Sequence, residues 1–319
     1  MNSAMHYKII NPALWDTLLV QFDDVLWCQK SINIEEISRT YNRKAVYFAA
    51  YHQSVFCAAM VLFVDQKKAN LPTHFFYTPF FINRSLKDFI INQSLQQMLL
   101  ELKKEYHQIE LKLAPKYNDI RPFSWSGFDH KIYYTLIKDL QNTTKKPSEN
   151  IRRQLNKIAQ NNAIVVKIEE ENLADIFNKH IEMMIQNGLS KVESKRVLSW
   201  LNFFNQNNQL YVFGLYESNI LHGSALLTFD QEQAYLISIT GGVAQTFGQT
   251  ALYFAFFNHF QSLGINKIDL LGANIQGVAE YKSKLGSELF SYPIVSYHKY
   301  KAVNQLKLKL KKWLKKHLN

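Results

Sequence analysis

The sequence predicts an α/β (α+β) fold of two tandem domains, each a mixed, mainly antiparallel sheet flanked by helices. Three observations predict it: a gapless internal similarity, a recurring order of elements around that similarity, and a polar break between the two copies.

The similarity sets Ala45 to Asp65, AVYFAAYHQSVFCAAMVLFVD, against Leu210 to Asp230, LYVFGLYESNILHGSALLTFD. Phe48 falls on Phe213, Tyr51 on Tyr216, Leu62 on Leu227 and Asp65 on Asp230, while Ala58 and Ala59 fall on Gly223 and Ser224. Each copy reads as strand, short polar turn and strand, the turns being His52-Gln53-Ser54 and Glu217-Ser218-Asn219. A third strand follows in each half, His74 to Phe81 and Ala234 to Thr240, and then a helix, Ser85 to His107 and Gln249 to Leu263. Leu86, Phe89, Ile90 and Leu95 in the first helix, and Leu252, Phe256, Phe257 and Phe260 in the second, recur at helical spacing. A short strand closes each unit, Ile109 to Leu113 and Lys267 to Leu271, so both halves run β-β-β-α-β.

The break is QNTTKKP, Gln141 to Pro147, after which Ser148 is placed to cap a helix running to about Asn161. It divides the chain into residues 1–145, residues 146–300 and a basic tail, residues 301–319. The tail carries seven lysines and no acid, which accounts for most of the formal net charge of +11. Val303, Leu306, Leu310, Trp313 and Leu314 recur there at helical spacing. Such an amphipathic basic helix suits an anionic membrane surface, an RNA backbone, or simple packing on the second domain.

A length of 319 residues with 47% hydrophobic content supplies two cores and excludes a disordered chain. No apolar run is long enough for a membrane-spanning helix, and MNSAMHYKIINPALWD lacks the pattern of a secretory signal. Cys28 and Cys57 have no metal-type spacing and the ten histidines are scattered, so no metal site is expected. A cytoplasmic location is expected, with peripheral contact at the inner face of the membrane as one use of the tail.

This pattern resembles the GNAT acyltransferase superfamily, and two copies in one chain resemble the Fem-type peptidyltransferases and their acetyltransferase-like relatives. IRRQLNKIAQNNAIVV (Ile151 to Val166) is similar to the paired basic residues, helix and strand that open the second Fem-type domain. IDLLGAN (Ile268 to Asn274) resembles the strand and small-residue turn of that family, and GVAEYKSKLGSEL (Gly277 to Leu289) its aromatic-Lys pair followed by a glycine.

The resemblance implies an acyl-CoA donor, acetyl-CoA for instance, whose pyrophosphate lies on backbone amides at a helix N-terminus. Free N–H groups and the helix dipole favour an anion there, and small residues let the backbone approach. The superfamily loop [Q/R]-x-x-G-x-[G/A] falls on Gln245, Thr246, Phe247, Gly248, Gln249 and Thr250, with Thr250 in place of the small third residue. A glycine-rich connection that binds nothing is the plain alternative. The corresponding stretch of the first half, PFFINRS (Pro79 to Ser85), has no glycine, so the donor site is expected in the second domain.

For the chemistry, Ala234 to Thr240 offers no carboxylate where many GNAT members keep a glutamate base, which leaves water acting through Ser238 or Thr240. By resemblance, Lys282 offsets negative charge that develops in the transition state, and Tyr281 protonates the departing thiolate. Against this stands a solvated charge run, since Lys282 and Lys284 both lie in YKSK. Asn274, after the last core strand, is placed to orient the acceptor, and Asp269 is equally suited to a structural role.

The leading expectation is an N-acyltransferase acting on the amine of a small molecule, a sugar or a cell-envelope precursor. One alternative changes the donor to aminoacyl-tRNA, as in Fem-type enzymes acting on a cell-wall precursor. Another is a catalytically degenerate GNAT-like binding protein.

Overall fold

Apolar runs rich in β-branched and aromatic residues, separated by short polar turns, become paired strands in the computed structural model, which describes residues 5–21, 26–73, 75–141, 144–160, 164–241 and 247–300. In chain order come β1 (Met5–Ile10), α1 (Pro12–Leu19), a single 3-10 turn (Trp27–Gln29) and α2 (Ser31–Tyr41). Then follow β2 (Lys44–His52), β3 (Val55–Asp65), β4 (Lys68–Asn70), β5 (Phe80–Ile82), α3 (Asp88–Glu105), β6 (Gln108–Lys112) and α4 (Arg121–Trp125). β7 (Asp129–Asp139), α5 (Glu149–Gln160), β8 (Ile164–Ile168), α6 (Leu173–Gln186) and α7 (Lys191–Gln206) lead to the second hairpin, β9 (Leu210–Glu217) and β10 (Ile220–Phe229). The last elements are β11 (Gln233–Thr240), α8 (Gly248–Ser262), β12 (Lys267–Asp269), α9 (Gln276–Lys284) and β13 (Glu288–His298).

These elements group into two compact units. The first draws on the described residues of Met1–Trp15, Arg43–Lys131 and Pro293–Asn319, and the second on Asp16–Asn42 and Ile132–Tyr292. Among the described residues, those of 16–42 therefore group with the second unit and those of 293–300 with the first.

In the first unit β1, β2 and β3 form an antiparallel run, and the hairpin between β2 and β3 turns at Gln53, which has a left-handed φ of 57°. β4 pairs antiparallel with β3 and parallel with β6, and Ile294–His298 of β13 pairs antiparallel with β6. The expected strand from His74 to Phe81 is not one strand. Its ladder is confined to Phe80–Ile82, opposite Ala58–Met60, and His74 itself lies outside the described residues. Pro79, directly before Phe80, carries no N–H to extend that ladder; upstream, the Phe75 N–H donates to the Pro72 carbonyl and the Thr78 N–H to the Lys112 carbonyl of β6. Phe75, Tyr77, Phe80 and Phe81 are buried all the same, Phe75 edge-on to Phe63 and Phe80 edge-on to Tyr117.

In the second unit the strand order is β7-β12-β11-β10-β9-β8, with β12 parallel to β11 and every other pair antiparallel. A crossover helix, α8, makes the parallel pairing possible. Leu252, Phe256 and Phe260 of α8 pack with Phe213, Leu215, Ala225 and Leu227, which belong to β9 and β10. Of α7, Val197, Trp200, Leu201 and Phe204 are buried, and α6 contributes Ile176, Phe177, His180 and Met184. Ser224 lies directly opposite Thr240, and Leu226 opposite Ser238. Since side chains alternate along a strand, Ser224, Ser238 and Thr240 share one face of the sheet.

Candidate active site

The chain reverses sharply at the end of β12. Leu271 and the residue after it both take left-handed conformations, φ 54° and 66°, which for a leucine is strained. This reversal turns two carbonyls toward α9, where the Lys282 ammonium donates to Leu270 O at 2.5 Å and to Leu271 O at 3.2 Å. The Leu271 N–H donates in turn to Asp269 Oδ1 at 3.0 Å, and the Thr135 hydroxyl donates to the same oxygen. Lys282 is only 6% exposed. Burial pushes its pKa down to about 8, against the opposing pull of the Asp269 carboxylate. Lys284, two residues on, is exposed.

Asn274 closes the same turn onto β7. Its Oδ1 accepts the Tyr134 N–H at 3.0 Å and its Nδ2 donates to the Tyr134 carbonyl at 2.9 Å. Asn274 also bonds the Tyr292 phenol, whose pKa burial raises. The glycine after the aromatic-Lys pair is Gly286, with a φ of 81° and no room for a Cβ, which would stand 2.4 Å from the Lys145 carbonyl. α9 is thereby held against the segment that precedes α5.

Tyr281, beside Lys282 in sequence, belongs to a second group of contacts. Its hydroxyl lies 2.9 Å from Thr250 Oγ1, and Thr250 donates its own proton to Gln154 Oε1 at 2.6 Å, so the phenol donates to Thr250. Burial raises the Tyr281 pKa, with the Thr250 bond opposing. Thr250 is fully buried, which gives a reason for threonine at this position: its hydroxyl ties α5, α8 and α9 together.

Of the residues expected to hold a donor, Gln245 and Thr246 lie outside the described residues. Phe247 starts α8 without a side-chain cap, and Ala251 N–H is bonded to its carbonyl at 2.9 Å. The amides of Gly248, Gln249 and Thr250 thus sit in the first helical turn, where no intrahelical partner exists. Lys157 of α5 places its ammonium 5.2 Å from the centre of the Phe247 ring. A lysine beside the positive end of a helix adds to the field that favours an anion. Gly248 has a packing reason of its own, since an added Cβ would meet Leu215 Cδ2 at 2.6 Å.

Sequence reading missed His180, Gln154 and Tyr292. His180 carries a faint signal, because it continues the apolar stripe Ile176, Phe177, His180, Met184 on one face of α6. Its imidazole is wholly buried, Nδ1 lying 2.8 Å from Ser238 Oγ and Nε2 2.9 Å from Ser224 Oγ. Ser224 Oγ lies 3.0 Å from Thr240 Oγ1. Burial drives the His180 pKa down to about 3, so the ring is neutral. Among the described residues no group of His, Cys, Asp and Glu side chains is arranged to hold a metal ion, and no helix is long and apolar enough to cross a membrane.

The chain has a GNAT/Fem-like fold, a mixed α/β architecture with a mainly antiparallel sheet flanked by helices. It superposes on the crystal structure of FemX with a TM-score of 0.66 at 12% sequence identity, covering 94% of this chain and 99% of that one. A tandem GNAT protein from the clavulanic acid biosynthesis pathway matches with a TM-score of 0.56 at 10% identity, over 92% and 98% of the two chains. L-PGS from Bacillus licheniformis matches with a TM-score of 0.52 at 9% identity, over 96% and 97%. No protein-family model and no curated protein matches the sequence, so the likeness is one of fold.

Proposed function

We propose that this protein is a transferase that moves an acyl group from acyl-CoA to a primary amine of a small molecule, a sugar or a cell-envelope precursor. The observation that carries the reading is Lys282, a buried ammonium of lowered proton affinity held on the strained turn after β12, with the Tyr281 phenol next to it in the chain. In this mechanism the amine nitrogen attacks the thioester carbon, a C–N bond forms and the C–S bond breaks. Lys282 stabilises the oxyanion of the tetrahedral intermediate. Tyr281, kept neutral by burial, gives its proton to the departing thiolate, and the proton lost by the amine passes to water near Thr240. Asn274, bonded to Tyr134 and Tyr292, holds the turn that faces the acceptor.

The donor's pyrophosphate is assigned to the start of α8, from Gln245 to Thr250. Its support is the uncapped first turn and the Lys157 ammonium over Phe247. A second reading keeps the acyl transfer but takes aminoacyl-tRNA as donor. Thr250 favours it, because a buried hydroxyl committed to Gln154 and Tyr281 stands where the pyrophosphate loop has a small residue. The basic segment 301–319, outside the described residues, supports peripheral contact with a membrane or with tRNA by its charge.

Calorimetric titration with acetyl-CoA separates these readings. Saturable micromolar binding is the expected result. Retention of aminoacyl-tRNA with no response to acetyl-CoA moves the assignment to the second reading. Binding of neither leaves a GNAT-like protein without donor chemistry and refutes the transferase assignment.

A further inference from the structure

We infer that His180 is a positioning residue of the transfer site, which through Ser224 sets whether the Thr240 hydroxyl has a lone pair to offer the acceptor amine. The inference rests on the acyl-transfer reading above and deepens it by supplying what orients the acceptor's N–H in a strand that lacks a carboxylate.

The geometry is a continuous chain of hydrogen bonds across β11, α6 and β10. It runs from Ser238 Oγ to His180 Nδ1 (2.8 Å), from Nε2 to Ser224 Oγ (2.9 Å), and on to Thr240 Oγ1 (3.0 Å). His180, Ser224 and Ser238 are buried, whereas Thr240 is partly exposed at the exit of β11. A neutral imidazole has one N–H and one lone pair, so its two tautomers run the chain in opposite directions.

With the proton on Nδ1, the ring donates to Ser238, and Nε2 accepts the Ser224 hydroxyl. Ser224 Oγ then accepts the Thr240 proton. Thr240 Oγ1 already receives the Ser224 backbone N–H at 3.1 Å, and one lone pair is left to face outward. With the proton on Nε2, every bond of the chain reverses: Thr240 Oγ1 accepts the Ser224 hydroxyl as well as the Ser224 N–H, its own proton has the Ser224 carbonyl within 3.4 Å, and no lone pair is left for the amine. An attacking amine has N–H bonds to donate, so the Nδ1–H tautomer is the productive one. The chain orients the hydroxyl and stores no charge, since an imidazolium in this buried position is strongly disfavoured. The amine's proton leaves to water at Thr240.

The test is the ¹⁵N spectrum of the His180 ring in the full chain, read from long-range proton–nitrogen couplings, in wild type and in Thr240→Val, with and without acetyl-CoA. Expected in the wild type is one neutral tautomer with its proton on Nδ1. Thr240→Val removes a hydroxyl that does not touch the ring, and the Nε2 signal is expected to shift through Ser224. Acetyl-CoA is expected to shift that signal in the wild type and to leave it unmoved in Thr240→Val. A ring protonated on Nε2, or an Nε2 signal indifferent to Thr240→Val, overturns the inference and leaves His180 a packing residue. Calorimetry on the same samples keeps the two ideas apart. Failure of acetyl-CoA to bind sinks the donor reading, and the ligand-free comparison of wild type with Thr240→Val then decides the relay alone. Should Thr240→Val fail to fold, Thr240→Ser, which keeps the hydroxyl, and Thr240→Ala, which does not, make the same comparison.

Discussion

The backbone N–H of Trp27 donates to Asp230 Oδ2 at 3.1 Å, across 203 residues of sequence. The same carboxylate accepts the Tyr235 hydroxyl on Oδ2 and the N–H groups of Glu232 and Gln233 on Oδ1. One side chain after β10 therefore holds both its own turn and the segment before α2. The Trp27 ring, edge-on to Phe204 and tilted against Tyr235, fills the space beside it.

Asp230→Ala is expected to destabilise the protein by about 3 kcal/mol or more, because several buried donors lose their acceptor at once and each costs about 1–3 kcal/mol. Urea denaturation followed by circular dichroism measures it. Asp230→Asn is expected to lie between the two, since one amide nitrogen would face donors. A loss under about 1 kcal/mol for the alanine variant would show that the 203-residue contact contributes little.

Gly248→Val separates packing from ligand binding. Its Cβ falls 2.6 Å from Leu215 Cδ2, so Leu215 must move. Overpacking of this kind costs about 1–3 kcal/mol. That loss is expected in the absence of any donor, by chemical denaturation, and a variant as stable as wild type would leave the glycine free to serve the pyrophosphate alone.

Lys282→Met against Lys284→Met tests the buried ammonium. Once an acceptor is found, turnover is expected to fall by ~10²–10³ for the first, the range for losing one oxyanion donor, and to stay near wild type for the second. Equal effects would make Lys282 part of a solvated charge run. The pH dependence is independent of any substrate. Below pH about 8 the folded and unfolded chains both hold the proton on Lys282; between there and its ordinary value of 10.5 only the unfolded chain does. Stability contributed by this residue therefore rises with pH across that window, on the order of 2–3 kcal/mol at 1.36 kcal/mol per unit. The difference in unfolding free energy between wild type and Lys282→Met is expected to widen in favour of wild type from pH 8 to 10, and a flat difference would contradict the lowered proton affinity.

Tyr281→Phe keeps the ring and removes the proton donor. Its bond to Thr250 accounts for about 1 kcal/mol of stability, a neutral hydrogen bond of ordinary net strength. Thiol release from acyl-CoA is expected to slow by ~10²-fold or more, with donor affinity unchanged in calorimetry. A change confined to stability would assign Tyr281 to the α8–α9 contact alone.

The hairpins were legible because their strands are rich in β-branched and aromatic residues and their turns are short and polar; Lys44–His52 pairs with Val55–Val64, and Leu210–Glu217 with Ile220–Thr228. The third strand of the first half was read too long because aromatic content suggested it, while Pro79, directly before Phe80, has no N–H to give a ladder. The union of residues 16–42 with the second unit was not legible, since the Trp27–Asp230 contact has no local pattern. YKSK reads as an exposed charge run, and only the left-handed turn at Leu271 reveals why the first of its lysines is buried. His180 hides in an otherwise apolar stripe. Its partners are serines on two strands, and neither is near it in sequence.

The pairing of β6 with Ile294–His298 has a consequence for synthesis on the ribosome. Ile109 emerges long before Tyr297, its partner in register. At ~5–20 residues per second, β6 waits on the order of ten seconds or longer with one edge open. An open strand edge is a template for pairing with another nascent chain. Glu110 and Lys112 place opposite charges along this short strand, and both are partly exposed even when it is paired. They are suited to keep the edge from a wrong partner until the right one is translated.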